Sequence, residues 1–336
     1  MRLLDCAWRG NAKRMSRDFR GLALVAGLLL GVPVQAATVF FSENFDDTNF
    51  TARGWYDGTG GQVDTANHIA GSSASFKCHW NQGGTSCASG TPHRHLFPAT
   101  PTVYVSFWMK LGTAAVAWQG SGVPYHPHLI QLLTDADGSF VGPNSALFSA
   151  LIETSLFKPR IAEADSMAVN VPQAGPNPGS GPSLLGTATP HAVAGCNGKQ
   201  NSSSSCYACP PPSYPSTGAY CNSTYWDAAG PAFVNNTWHK VEFYAAMNST
   251  SGGVANADGI FKYWVDGNLV ISATNVYLRT GDNPTRRFNQ LLLAPFIGDG
   301  SPIAQDLWID NLQVADQPVT QPGSSLPAPT NLRVVP

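Results

Sequence analysis

Glutamate is scarce in this chain: only Glu43, Glu153, Glu163 and Glu242 occur, and charged residues of every kind make up 12%. Glycoside hydrolysis needs two carboxyls flanking the scissile bond, and none of these glutamates opens an E-x-D-x-x-E arrangement on one strand. The aspartates gather mostly in turns such as "TDADG" and "ANADG", so a hydrolase would require distant carboxyls to meet in space. A basic excess is missing too. The net charge of −2 gives no electrostatic footprint for nucleic acid and no cationic surface for anionic lipid. No repeat of solenoid length is present, and no apolar run after the N-terminus is long enough to span a bilayer.

The N-terminus itself reads as an address. "MSRDFRGLALVAGLLLGVPVQAA" (15–37) has a basic head, an apolar centre and small residues before a cut after Ala36. Residues 1–36 are therefore expected to be a secretory signal, with Met15 as an alternative start. The mature chain is expected outside the cytoplasm, extracellular or periplasmic. No Cys stands at the cut, so no lipid anchor is expected.

Glycine (33), proline (26) and tryptophan (nine) are what the chain has in quantity. Cys6 leaves with the signal, and Cys78, Cys87, Cys196, Cys206, Cys209 and Cys221 remain. Six thiols in an exported chain imply a disulfide framework. Cys78–Cys87 closes a short Gly-rich loop and is the expected pair. The other four are expected to staple their own loop, because "CYAC" lacks the second matching pair a zinc site needs.

Strand signals recur along the chain. "ATVFFSENF", "ASFKCHW", "TVYVSFWMKL", "HLIQLLTD", "ALFSALIET" and "KPRIAEA" come first; "TWHKVEFYAAMN", "GIFKYWVDGNLVISATN", "FNQLLLAPFIG" and "DLWIDNLQVA" follow a break. They are rich in aromatic and β-branched residues and bounded by Gly, Pro, Asn and Asp. Asp266-Gly267 between two apolar runs is a two-residue hairpin signal. The spacing predicts one all-β domain over 37–316 with a cysteine-rich insert at about 170–230. Residues 317–336 read as a Pro/Ser-rich linker, and the protein is expected to be a monomer.

The C-terminal strands, with "FSENFDD" near the mature start, resemble the concanavalin A-like lectin/glucanase superfamily. They are similar in particular to its secreted polysaccharide lyases and lectin-like domains. The resemblance covers roughly 38–168 and 230–316. It implies a jelly-roll sandwich of two antiparallel sheets, the concave one forming a groove for a polysaccharide. It also implies a structural calcium ion on the convex side, for which Glu43 and Asp310 lie on the matching strands. No cofactor for catalysis is expected.

A lyase working by β-elimination needs a base at the C5 proton of a uronic acid. It also needs a partner for the sugar carboxylate and a proton donor for the leaving oxygen. The matching residue types lie on predicted strands: His126, His128, Arg160 and Tyr263 for catalysis, with Arg94, Gln131 and Trp264 for substrate binding. Two H-x-H pairs, His93/His95 and His126/His128, stand out. Strict alternation puts His126 and His128 on the face opposite Gln131 unless a bulge intervenes, and Pro127 permits one. The Q-I-H and R-x-E-[LM]-R signatures of the lyases are not matched.

Other readings stay open. The histidines can be structural, and Arg160 can simply pair with Glu153 or Glu163. Trp108, Trp118, Trp238, Trp264 and Trp308 read first as sandwich core. A non-catalytic carbohydrate-binding module is then the alternative function. A glycoside hydrolase or a metal-dependent, cupin-like enzyme fits less well, because the Glu that should follow the H-x-H is absent.

Overall fold

A computed structural model describes residues 36–58, 60–112, 127–135, 148–155, 157–165, 224–252, 254–256, 258–276, 278–279, 284–298 and 300–319. All lie in the compact unit that begins at Ala36. The expected signal, the linker beyond residue 319 and the insert's Cys196, Cys206, Cys209 and Cys221 fall outside the described residues.

In chain order the first strands are β1 (Val39–Glu43), β2 (Trp55–Asp57), β3 (Gln62–Asp64), β4 (Ser75–Trp80), β5 (His93–Thr100) and β6 (Thr102–Leu111). Then come β7 (His128–Thr134), β8 (Phe148–Ser155), β9 (Lys158–Asp165), β10 (Thr224–Asp227) and β11 (Trp238–Ala246). The short β12 (Thr250–Ser251) and β13 (Val254–Ala255) precede β14 (Gly259–Val265), β15 (Asn268–Val276), β16 (Phe288–Phe296) and β17 (Gln305–Ala315). One turn of 3-10 helix, Phe50–Arg53, is the helical element among the described residues.

Two large antiparallel sheets result, with β12 and β13 forming a separate two-stranded one. The eight-stranded sheet runs β15-β14-β11-β6-β17-β4-β3, with β1 pairing the far half of β17; the seven-stranded sheet runs β10-β9-β8-β7-β16-β5-β2. Alternation explains which faces meet. On β11 and β14 every second residue is buried, so Val241, Phe243 and Ala245 join Phe261, Tyr263 and Val265 in the core. Ile130, Leu132, Ile152, Ile161, Leu291 and Leu293 face them from the seven-stranded sheet. Its central strands β7 and β16 are buried on both faces, hence their nearly unbroken apolar runs.

All ten segments with strand signals are strands. The hairpin at Asp266-Gly267 joins β14 to β15, with φ 51° and 76° at the two turn residues, as a type I′ turn requires. The Asp266 carboxylate secures it, accepting the Lys240 N–H at 2.8 Å and meeting His239 Nδ1 at 2.7 Å. Cys78 and Cys87 are bonded as expected, linking β4 to the loop before β5.

Three expectations change. β5 was not marked as a strand by its polar "HRH" and its Pro98. β2 pairs only with His93–His95, so the strand edge at Pro98 needs no ladder donor, and register with β16 breaks between Leu96 and Thr100. Residues 224–227, placed in the insert, form the edge strand β10 against β9. The tryptophans Trp108, Trp238, Trp264 and Trp308 are not sandwich core. They lie on the outward face of the eight-stranded sheet, where Trp308 is the cross-strand partner of Lys77 and Lys110, and Lys110 of Trp238. The Lys110 ammonium sits 4.5 Å from the Trp308 ring centroid and 5.5 Å from that of Trp238. Trp55 and Trp80 are the ones in the core, Trp308 is buried on the outward face under its lysines, and Trp118 lies outside the described residues.

Candidate functional site

Cross-strand partners share a face of a sheet. Tyr56 pairs with Arg94, Arg94 with Leu292, Leu292 with Gln131, and Gln131 with Leu151. The flanking rows, with Leu291 and Leu132 on one side and Leu293, Ile130 and Ile152 on the other, belong to the core. This row of Tyr56, Arg94 and Gln131 therefore looks away from the core, on the outer face of the seven-stranded sheet. Gln290, two residues from Leu292, shares that face.

The row is a built polar network. Arg94 has no exposed surface, and its guanidinium donates from Nε to Asp57 Oδ2 and from Nη1 to Gln290 Oε1, each at 2.8 Å. Gln290, equally buried, donates from Nε2 to the Tyr56 hydroxyl at 2.8 Å. The phenol of Tyr56 accepts there and keeps its own proton for another partner. Burial, with a smaller push from Asp57 and against the pull of Arg94, raises the Tyr56 pKa, so the proton is held. Gln131 differs from its neighbours. It is 8% exposed, and among the described residues none donates a hydrogen bond to its buried Oε1. Gln305 Oε1 and Asn289 Oδ1 share this condition, and Gln131 is set apart by its place in the polar row.

His128 reaches the same face through a bulge. Register on both sides of β7 slips after His128, which pairs with Glu153 on β8 and Phe296 on β16, while Ile130 pairs with Ile152. Leu129 and Ile130 both enter the core, and His128 turns outward with Gln131. Its ring lies 6.2 Å from that of Phe296. Arg160 belongs to the same outward row, through Glu153 and on to Asp227. Its guanidinium is held bidentately by Asp227, at 2.6 and 3.0 Å.

The seven residues singled out from sequence thus divide. Arg94, Gln131, His128 and Arg160 share one face. Tyr263 does not: it is fully buried between the sheets, its neighbours in register being Phe243 and Ile271, and no substrate reaches it there. Trp264 points outward from the other sheet, beside Glu242 and Leu269. His126 lies outside the described residues. Tyr56, Asp57 and Gln290 were missed. The signal for Gln290 was present, an amide inside the apolar run "FNQLLLAPF"; nothing in "GWYDG" marked the other two.

The carboxylates offered for calcium do not suit it. Glu43 accepts the Phe45 N–H at Oε1, and the Arg53 guanidinium and Trp55 indole N–H at Oε2, all at 2.8 Å. Asp310 accepts from Ile69 N–H, Ser72 hydroxyl and Asn311 N–H. A cation ligand needs its lone pairs free of N–H donors, and a guanidinium already supplies the positive charge at Glu43. Among the described residues no group of three or more His, Cys, Asp or Glu side chains is placed to hold a metal ion.

No protein-family model matches this chain, and no curated protein matches it. Solved structures do. The marine PL-14 alginate lyase from Aplysia kurodai superposes with TM-score 0.50 at 12% identity, over 83% of this chain and 99% of that one. Alginate lyase vAL-1 from Chlorella virus gives TM-score 0.48 at 10% identity, covering 83% and 100%. An endo-β-1,4-glucuronan lyase from the fungus Trichoderma reesei gives 0.47 at 14%, covering 83% and 96%. At such identity the likeness to the Aplysia enzyme establishes the fold, a jelly-roll sandwich of the kind used by polysaccharide lyases. No helix among the described residues is long and apolar enough to cross a membrane.

Proposed function

We propose that this is a secreted polysaccharide lyase that cleaves a polyuronate by β-elimination on the outer face of the seven-stranded sheet. The observation that carries the reading is Gln131: a buried amide, with no donor for its oxygen among the described residues, in a row with a buried arginine. An amide presents N–H donors to a carboxylate and an acceptor to a hydroxyl, the two polar groups a uronic acid offers. Each role has an owner. His128 takes the C5 proton, the electrons of that bond form the C4–C5 double bond, and the C4–O bond breaks. The Tyr56 phenol, kept protonated by burial, supplies the proton to the leaving oxygen. Arg94 acts as a positioning residue beneath the face, holding Gln290 and through it Tyr56. Arg160 ties the sheet edge to Asp227. Alginate, the substrate of the similar Aplysia enzyme, is the polyuronate to try first, with glucuronan beside it.

Gln131→Leu tests this directly, because it removes an amide whose oxygen accepts from none of the described residues. Stability should stay equal or rise, since no hydrogen bond to that oxygen among the described residues is lost. Formation of unsaturated ends from a polyuronate should fall by about a hundredfold, the usual loss when a group facing developing charge is removed. Unchanged turnover would refute the assignment. A non-catalytic glycan-binding role is the second reading, favoured by the full burial of Arg94.

A further inference from the structure

Beside the polar row lies a cleft of about 680 Å³, lined by Asp57, Ser86, Ser89, Thr91, His93 and Phe296 with adjoining glycines. Its volume falls within the range of small-molecule sites, about 300–1,000 Å³. The far wall is the loop before β5, and it is anchored on three sides. The Cys78–Cys87 bond ties it to β4, a bridge from Ser86 to Phe296 ties it to β16, and Gly61 N–H donates to Ser89 carbonyl at 2.8 Å. The contact between loops is close enough that a Cβ on Gly60 would lie 2.5 Å from the Ser89 carbonyl oxygen. Such a wall is set before any ligand arrives, which lowers the ordering cost of binding.

Two cross-strand partners at the mouth, Asp57 and His93, both have left-handed backbones, φ 66° and 74°. Outliers of this kind persist where the surroundings impose them and gather at ligand sites. The His93 ring lines the cleft with Nδ1 engaged by the Thr91 hydroxyl at 2.9 Å, which leaves Nε2 for a ligand. His68 and His79 likewise engage only Nδ1, away from the cleft, whereas His95 uses both ring nitrogens on the carbonyls of Leu96 and Arg53. His239 likewise uses both, on Val234 and Asp266.

We propose that this cleft is a sugar subsite: it holds a pyranose unit of the glycan, with His93 Nε2 on a ring hydroxyl and Phe296 against the apolar ring face. Hydroxyls, an imidazole and one aromatic ring match a sugar's polar edge and C–H face. The Phe296 ring lies 6.2 Å from that of His128, so the subsite adjoins the face assigned above at the end of the sheet and sets which unit follows the reacting one. Desolvation holds the His93 imidazole neutral at neutral pH, able to accept from or donate to a hydroxyl. The inference rests on the reading that the protein takes a glycan, and not on turnover.

The test uses full-length protein with its histidines labelled with nitrogen-15. The probes are short oligouronates prepared from alginate and, separately, short cello-oligosaccharides. His93 resonances should shift saturably with at least one probe. His93→Asn keeps a residue that tolerates left-handed backbone, and Ser86→Trp fills the mouth from an exposed position. Each should weaken binding about tenfold, the worth of one hydrogen bond or stacking contact. Wild-type affinity in both variants would overturn the subsite while leaving the glycan reading standing. Saturable binding without any unsaturated product from the wild-type protein would sink the lyase step and support the subsite. Absence of binding by wild type to either probe would overturn both.

Discussion

Arg94 is a cation with no exposed surface, and the fold tolerates it because Asp57 and Gln290 meet its guanidinium at 2.8 Å. Removing the charge leaves both partners buried without it. Arg94→Met should therefore lower stability by about 3–5 kcal/mol in urea unfolding, far more than a surface change; a loss within a few tenths would show that the network is dispensable. His93 gives a pH prediction with a definite sign. Burial holds its imidazole below the ordinary value of 6.5, so the unfolded chain binds a proton that the folded chain still refuses. The stability tied to the neutral ring is complete above about pH 6.5 and is lost as pH falls through the lower folded value. Wild-type protein should lose melting temperature more steeply than His93→Asn between neutral and mildly acid pH. Parallel curves would contradict the placement of the ring.

Elements show what was legible in the sequence and what was not. Strand positions could be read because aromatic and β-branched runs bounded by Gly and Asp admit little else, and Asp266-Gly267 could be read because few residues accept two left-handed φ values. Faces were harder. Strict alternation separates His128 from Gln131, and the bulge that reunites them depends on pairings with β8 and β16 that no local signal specifies. A strand tryptophan has two faces to choose from, and chemistry alone sent Trp308 to the core when lysines flank it on the surface. Tyr263 shows the reverse error. It was chosen for its hydroxyl, and its place in the alternation of β14 decides that it is core. The loop before β5 was readable from its cysteines. With Cys78 and Cys87 nine positions apart, reduction should cost about 2–3 kcal/mol of stability by loop-closure entropy. Equal urea midpoints for oxidised and reduced protein would show that the wall is held by its other anchors.

At the scale of the whole molecule, the sandwich presents two unlike outer surfaces. The eight-stranded sheet offers tryptophans interleaved with Lys77, Lys110 and Lys240, several of them paired with acids such as Asp306 and Glu242. The seven-stranded sheet carries a buried polar row with an adjoining cleft, and its Gln131 waits for a partner. Buried polarity on a face turned away from the core costs stability, about 1–3 kcal/mol for an unsatisfied group, and ligand recognition is the ordinary reason such a cost persists. The measurement that tests this most directly is the ultraviolet absorbance of unsaturated uronate ends, followed with purified protein on alginate, glucuronan and a neutral glucan. Absorbance should grow on at least one polyuronate and stay flat on the neutral chain, while growth on none, with saturated reducing ends or no product in its place, would contradict the lyase assignment.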